Sequence, residues 1–204
     1  GGFTDAPMTR VERMHVTSGR RIPVTRAPVR NASFLADNAG EVRVAWGTNR
    51  YDAMQTYVRD GVEWSLVNDE ASSGFHMRPV GFSSDNATLY VVSGRSEGPH
   101  VVEAYDMASG KRSVVLEDDR VSPYRILRGA DRVPAGAMYM DGRTRTAFFD
   151  PEGPLARHYR NLEGAFPGQT VLVTSISQDG RRLLVDVSSD RNPGDYYLFD
   201  SIAK

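Results

Sequence analysis

Phe82-Ser83-Ser84-Asp85-Asn86-Ala87-Thr88-Leu89-Tyr90-Val91 returns further along as Ile176-Ser177-Gln178-Asp179-Gly180-Arg181-Arg182-Leu183-Leu184-Val185. Each copy is a polar turn leading into an apolar run. The copies begin about 94 residues apart. A second pattern repeats too. Val11-Glu12-Arg13-Met14-His15-Val16-Thr17-Ser18-Gly19-Arg20-Arg21 is matched by Val102-Glu103-Ala104-Tyr105-Asp106-Met107-Ala108-Ser109-Gly110-Lys111-Arg112. Ala104-Tyr105-Asp106 and Leu198-Phe199-Asp200 close two runs at the same interval, and Phe148-Phe149-Asp150 falls between them. The interval therefore holds two units of about 47 residues, room for four short strands each. Such a unit without a helix is a β-propeller blade.

Working outward, the apolar runs are short and rich in β-branched and aromatic residues, as strands are. Leu89-Tyr90-Val91-Val92, Val171-Leu172-Val173 and Leu183-Leu184-Val185-Asp186-Val187 are the clearest. Turn signals bound them, among them Asp60-Gly61, Asp141-Gly142, Asp179-Gly180 and Asn192-Pro193-Gly194. Helical spacing is confined to Leu155–Leu162, which predicts two turns of helix. The expected fold is all-β: a partial β-propeller, an arc of about four four-stranded antiparallel blades plus a blade remnant. The remnant covers 1–31, and the blades lie near 32–78, 79–121, 122–167 and 168–204. His15, Val67, Asp106, Asp150 and Asp200 are expected to mark successive outer-strand ends. An open β-sandwich is the competing architecture.

Composition narrows the function classes. A net charge of −1 over 204 residues gives no footprint for nucleic acid. No apolar run approaches a membrane span, and no signal-peptide pattern opens the chain at Gly1-Gly2-Phe3. With no cysteine, thiolate nucleophiles and cysteine zinc sites are absent. No loop has calcium-binding Asp spacing, and no histidine pair has zinc spacing. No cofactor or metal is expected.

Gly94-Arg95-Ser96-Glu97-Gly98 matches the Gly-x-Ser-x-Gly nucleophile elbow, which needs a strand-to-helix turn. Strands flank it on both sides here, so a hairpin loop is expected and Ser96 is not assigned catalysis. His15, His76, His100 and His158 are read as structural, with His158 at the surface. The pairs Asp69-Glu70 and Asp118-Asp119 are read as solvated turn charge. They are not convergent acid/base pairs, because neighbours on a strand point to opposite faces. Ser188–Asp195 is read as a long polar loop, and its Arg191 is the one candidate contact to a substrate carboxylate or a neighbouring domain. No catalytic residue is identified.

From Tyr139 onward the order of motifs is more specific. It runs through Arg143-Thr144-Arg145-Thr146-Ala147-Phe148-Phe149-Asp150-Pro151-Glu152 and Leu162-Glu163-Gly164-Ala165-Phe166-Pro167-Gly168. It continues with Ser177-Gln178-Asp179-Gly180-Arg181-Arg182 and Ser188-Ser189-Asp190-Arg191-Asn192-Pro193-Gly194-Asp195-Tyr196-Tyr197-Leu198-Phe199-Asp200. This resembles the N-terminal propeller of the prolyl oligopeptidase family of serine peptidases, in its dipeptidyl aminopeptidase/acylaminoacyl-peptidase branch. The resemblance implies a following α/β-hydrolase domain that carries a Ser-His-Asp triad. That domain is absent from this chain, so the chain alone is expected to be inactive. It further implies a role in gating and orienting peptide substrates, with the hydrolase domain as partner. Exposed blade edges predict self-association. A non-enzymatic protein-binding scaffold is the alternative function. A propeller glycosidase or lyase lacks the convergent carboxylates it would need.

Overall fold

The computed structural model describes residues 9–202. Gly1-Gly2-Phe3, the first part of the expected remnant and the last two residues lie outside the described residues. The chain opens with a hairpin of β1 (Arg10–Met14) and β2 (Arg21–Arg26). Sheet I follows as β3 (Arg30–Ala36), β4 (Val42–Thr48), β5 (Met54–Asp60) and β6 (Glu63–Asp69). One helical turn, α1 (Glu70–Ser73), leads to sheet II: β7 (Phe75–Phe82), β8 (Thr88–Arg95), β9 (Val101–Asp106) and β10 (Arg112–Leu116). Sheet III has three strands, β11 (Arg125–Arg128), β12 (Pro134–Asp141) and β13 (Arg143–Phe148). After helix α2 (Pro154–Ala165) comes sheet IV, with β14 (Thr170–Ile176), β15 (Arg182–Ser189) and β16 (Asn192–Asp200). Every pairing is antiparallel between strands consecutive in the chain.

The core lies in the seams between sheets. In β8, Leu89 and Val91 face sheet I and pack with Val44, Met77 and Phe82. Their neighbours Tyr90 and Val92 face sheet III and pack with Val80, Ala137 and Tyr139. A strand covered on both faces is apolar at successive positions, which is why Leu89-Tyr90-Val91-Val92 shows no alternation. β7 packs against strands of sheet I on one side and against β12 on the other. The architecture is all-β, an arc of radially stacked meanders forming part of a β-propeller, and among the described residues no sheet closes on itself.

The hairpin joining the first two strands recurs in all four sheets. Its fourth residue takes a left-handed backbone at Gly40 (φ 82), Asn86 (φ 60), Arg132 (φ 64) and Gly180 (φ 71). The N–H of each donates to the carbonyl three residues back, on Asp37, Ser83, Gly129 and Ser177. In the two quoted copies the serine hydroxyl donates to the aspartate, Ser83 to Asp85 at 2.6 Å and Ser177 to Asp179 at 2.5 Å. Asn38 Nδ2 then ties the turn of sheet I to that of sheet II, donating to the Ser83 carbonyl at 2.7 Å.

Four sequence-based expectations differ from the structure. Sheets III and IV have three strands among the described residues. In the place where sheet III would continue stands α2, which packs on both β13 and β14. Pro151 and Pro154 cannot donate to a ladder, whereas proline suits a helix start, where α2 has one. Leu155, Tyr159 and Leu162 then lie on one buried helical face. Secondly, Asp106 ends a third strand, with β10 outside it, and Val67 lies within β6. Thirdly, residues 78 and 79 both belong to β7, so the boundary drawn between them cuts a strand. Fourthly, Ser188–Asp195 is no long loop. Ser189 pairs with Asn192, leaving a tight turn at Asp190-Arg191.

Candidate functional site

Two cavities share residues of β11, the first strand of sheet III: a smaller one on the side of sheet II and a larger one that extends to α2 and sheet IV. The smaller, about 320 Å³, is lined by Arg78 of β7 and by Arg125 and Arg128 of β11, over a floor that includes Pro79, Val80 and Ile126. The larger is an open cleft of about 1490 Å³ that shares Arg125, Ile126 and Arg128 with the first. Its walls mix aromatic and apolar side chains, among them Tyr90, Phe148 and Leu172, with the recurrent turns of sheets III and IV, and Asp131, Asp150 and Asp179 line it too. Arg128 spans the seam, donating to the carbonyl of Val80 and, at 3.1 Å, to that of Arg132. Burial and the nearby Arg132 charge lower its pKa. Neither the Arg78 nor the Arg125 side chain has a hydrogen-bond or ion-pair partner among the described residues.

A second polar cluster lies at the start of β7. His76 and His100 meet edge to face with ring centroids 5.0 Å apart. His76 Nδ1 stands 3.9 Å from Glu70. Burial, then His76 and the Arg78 charge, push the His100 pKa down, which favours a neutral ring at neutral pH.

Ser96 sits in the exposed loop between β8 and β9. The glycines of its motif have structural causes. A Cβ at Gly94 would lie 2.0 Å from the His76 ring, and Gly98 takes φ 83 in the turn. Ser96 has no bond to a histidine among the described residues. Arg191 is exposed at the β15–β16 turn, and its side chain has no ion-pair partner among the described residues. The neighbouring Asn192 Nδ2 donates to Asp195 at 2.6 Å, holding the start of β16. Arg191 is not part of either cavity. His158 is not a surface residue. It is half-buried on α2 and lines the large cleft, and burial lowers its pKa. Asp69 caps α1, its carboxylate accepting from the Ala71 N–H. Asp118 is held to about 2, first by the backbone N–H of Arg120 and then by Arg145.

Sequence reasoning missed Arg78 and Arg125. Both open the same region of successive repeats, about 47 residues apart. That shared phase was the available signal.

The chain is 27% identical over 203 residues to dipeptidyl aminopeptidase BIII of Pseudoxanthomonas mexicana. The match covers 98% of this chain and 29% of that protein, so the chain spans under a third of its relative's length. Among solved structures, TolB from Acinetobacter baumannii aligns with a TM-score of 0.44 at 14% identity, over 93% of this chain and 48% of that one. No family model matches the chain.

Proposed function

We propose that this chain is the propeller portion of a serine peptidase related to the prolyl oligopeptidase family, and that it admits and orients peptides for a hydrolase domain outside it. The observation that carries this reading is the alignment with a dipeptidyl aminopeptidase along almost the whole chain, at under a third of that protein's length. The cleft supports it. Aromatic and apolar walls accept side chains, and the arginines at one end supply polar anchors. In this reading Arg191 meets a substrate or the hydrolase domain. The reaction itself, acyl transfer through a Ser-His-Asp triad, belongs to residues elsewhere.

The test is hydrolysis of dipeptidyl p-nitroanilides by the full-length protein that contains this chain. Turnover is expected there and none in the 204-residue chain. Ser96→Ala is expected to leave full-length turnover unchanged. A full-length protein that cleaves no peptide substrate while retaining protein-binding activity turns the assignment toward a scaffold. Turnover by the isolated chain that Ser96→Ala abolishes also overturns it.

A further inference from the structure

We infer that the arginine-lined cavity between sheets II and III is a carboxylate subsite, which takes a free carboxylate of a peptide lying in the adjoining cleft. The inference rests on the reading of that cleft as a peptide surface.

Three arginines line a cavity of about 320 Å³, and no aspartate or glutamate lines it with them. The whole chain carries a net charge of −1, so this is a local concentration of positive charge on a molecule that is not basic. Two acids, one before β11 and one at the end of β12, are engaged in ion pairs of their own. Asp118 pairs with Arg145 at 2.7 Å, and Asp141 with Arg120 at 2.6 Å. All three arginines are exposed, so solvent screens their mutual repulsion in part, and an anion that enters relieves what remains.

The geometry suits a carboxylate. Arg128 is fixed by two backbone carbonyls. Arg78 and Arg125, one from each sheet, keep their donors unspent. A guanidinium presents its N–H groups in a planar fork that matches a carboxylate. The cavity is at the small end of ligand-pocket sizes and holds the end of a chain or one side chain. Arg125, Ile126 and Arg128 line both the cavity and the larger cleft, so the two adjoin, and in this proposal a peptide lies along the cleft and ends at the arginines. The same charges disfavour an ammonium group, so the subsite also sets the direction in which a short peptide lies.

Isothermal titration of the 204-residue chain tests this with four probes: acetyl-Phe-Ala-Ala, its C-terminal amide, acetyl-Phe-Glu-Ala-amide and sodium phosphate. The free acid is expected to bind at least about tenfold more tightly than its amide, the loss that charge-assisted hydrogen bonds imply. Binding of the glutamyl amide assigns the subsite to side-chain carboxylates, and its failure to bind assigns it to chain termini. Arg78→Gln and Arg125→Gln are each expected to weaken the free acid by about tenfold. Arg78→Lys is expected to recover part of that loss by keeping charge without the fork. Lys111→Gln, an exposed turn cation on another edge, controls for net charge. Circular dichroism melts confirm that each variant is folded. Equal affinity for acid and amide overturns the inference, as does undiminished binding in the double glutamine variant or binding of phosphate alone. Full-length hydrolysis without carboxylate preference removes the subsite and leaves the peptidase reading. Carboxylate binding by this chain, with a full-length protein that cleaves nothing, does the reverse.

Discussion

Two buried tyrosines show how one deleted oxygen has opposite consequences. Tyr159, on α2, is 1% exposed, and its hydroxyl accepts the Val173 N–H at 3.0 Å. Tyr139, on β12, is 2% exposed, and its hydroxyl has no hydrogen-bond partner among the described residues. Tyr159→Phe strands a buried backbone donor and is expected to cost about 1–3 kcal/mol. Tyr139→Phe removes an unpaired polar atom from an apolar seam and is expected to be neutral or stabilising. Urea midpoints at pH 8 distinguish the two. Burial lifts the Tyr159 pKa from 10.0 to about 12. Between those values the unfolded chain has released a proton that the folded chain still holds, so stability falls as pH rises through the interval. The contribution is complete below pH 10. Tyr159→Phe abolishes this group's part of the alkaline loss, so its deficit against the wild type is expected to shrink from pH 10 to pH 12. A deficit constant across that range contradicts the assignment.

At the scale of elements, α2 belongs to two seams at once. Leu155 and Tyr159 pack with Leu127 and Met138 of sheet III, and Leu162 packs with Val171, Leu183, Val185 and Val187 of sheet IV. Leu162→Ala is expected to cost about 2–5 kcal/mol, because a side chain 1% exposed leaves a cavity. Hydrogen exchange is expected to accelerate in α2 and sheet IV while β4 and β5 of sheet I keep their protection. Uniform acceleration through all four sheets rejects that locality. The same element shows which parts of the fold were readable in advance. The Leu155–Leu162 spacing announced a helix, and the Ser-x-Asp turns announced the hairpins, because both signals are local. That the helix takes the place of a strand was hidden, since a spacing of about 47 residues counts chain length and not strand number. Ser188–Asp195 was misread for a related reason. Its polar residues and Pro193-Gly194 carry turn chemistry, but pairing of β16 with β15 overrides them. The arginine cavity was unreadable locally because it draws on three strands from two sheets.

At the scale of the whole molecule, stacking gives each sheet face a neighbour, and sheet IV presents one apolar face without one among the described residues. Val185 and Val187 are buried toward α2. Across the same sheet Leu184 is 38% exposed, Tyr196 67% and Leu198 74%, and register places Leu184 opposite Leu198. These side chains alternate with the buried set, so they share the other face. Asp186, opposite Tyr196, shares this face, but exposed apolar side chains grouped on a sheet face favour association, and the surface best matched to them is the same face of a second copy, since an isologous contact buries both at once. The isolated chain is therefore expected to self-associate as its concentration rises. Leu198→Lys is expected to shift it toward monomer without lowering its melting temperature, because a side chain so exposed contributes little to the folded chain. Light scattering coupled to size-exclusion chromatography measures the shift. A wild-type chain that stays monomeric at high concentration refutes the expectation. Association unchanged by Leu198→Lys and by Tyr196→Lys moves the contact to the strand edges, where unpaired backbone groups promote pairing without any role for this face.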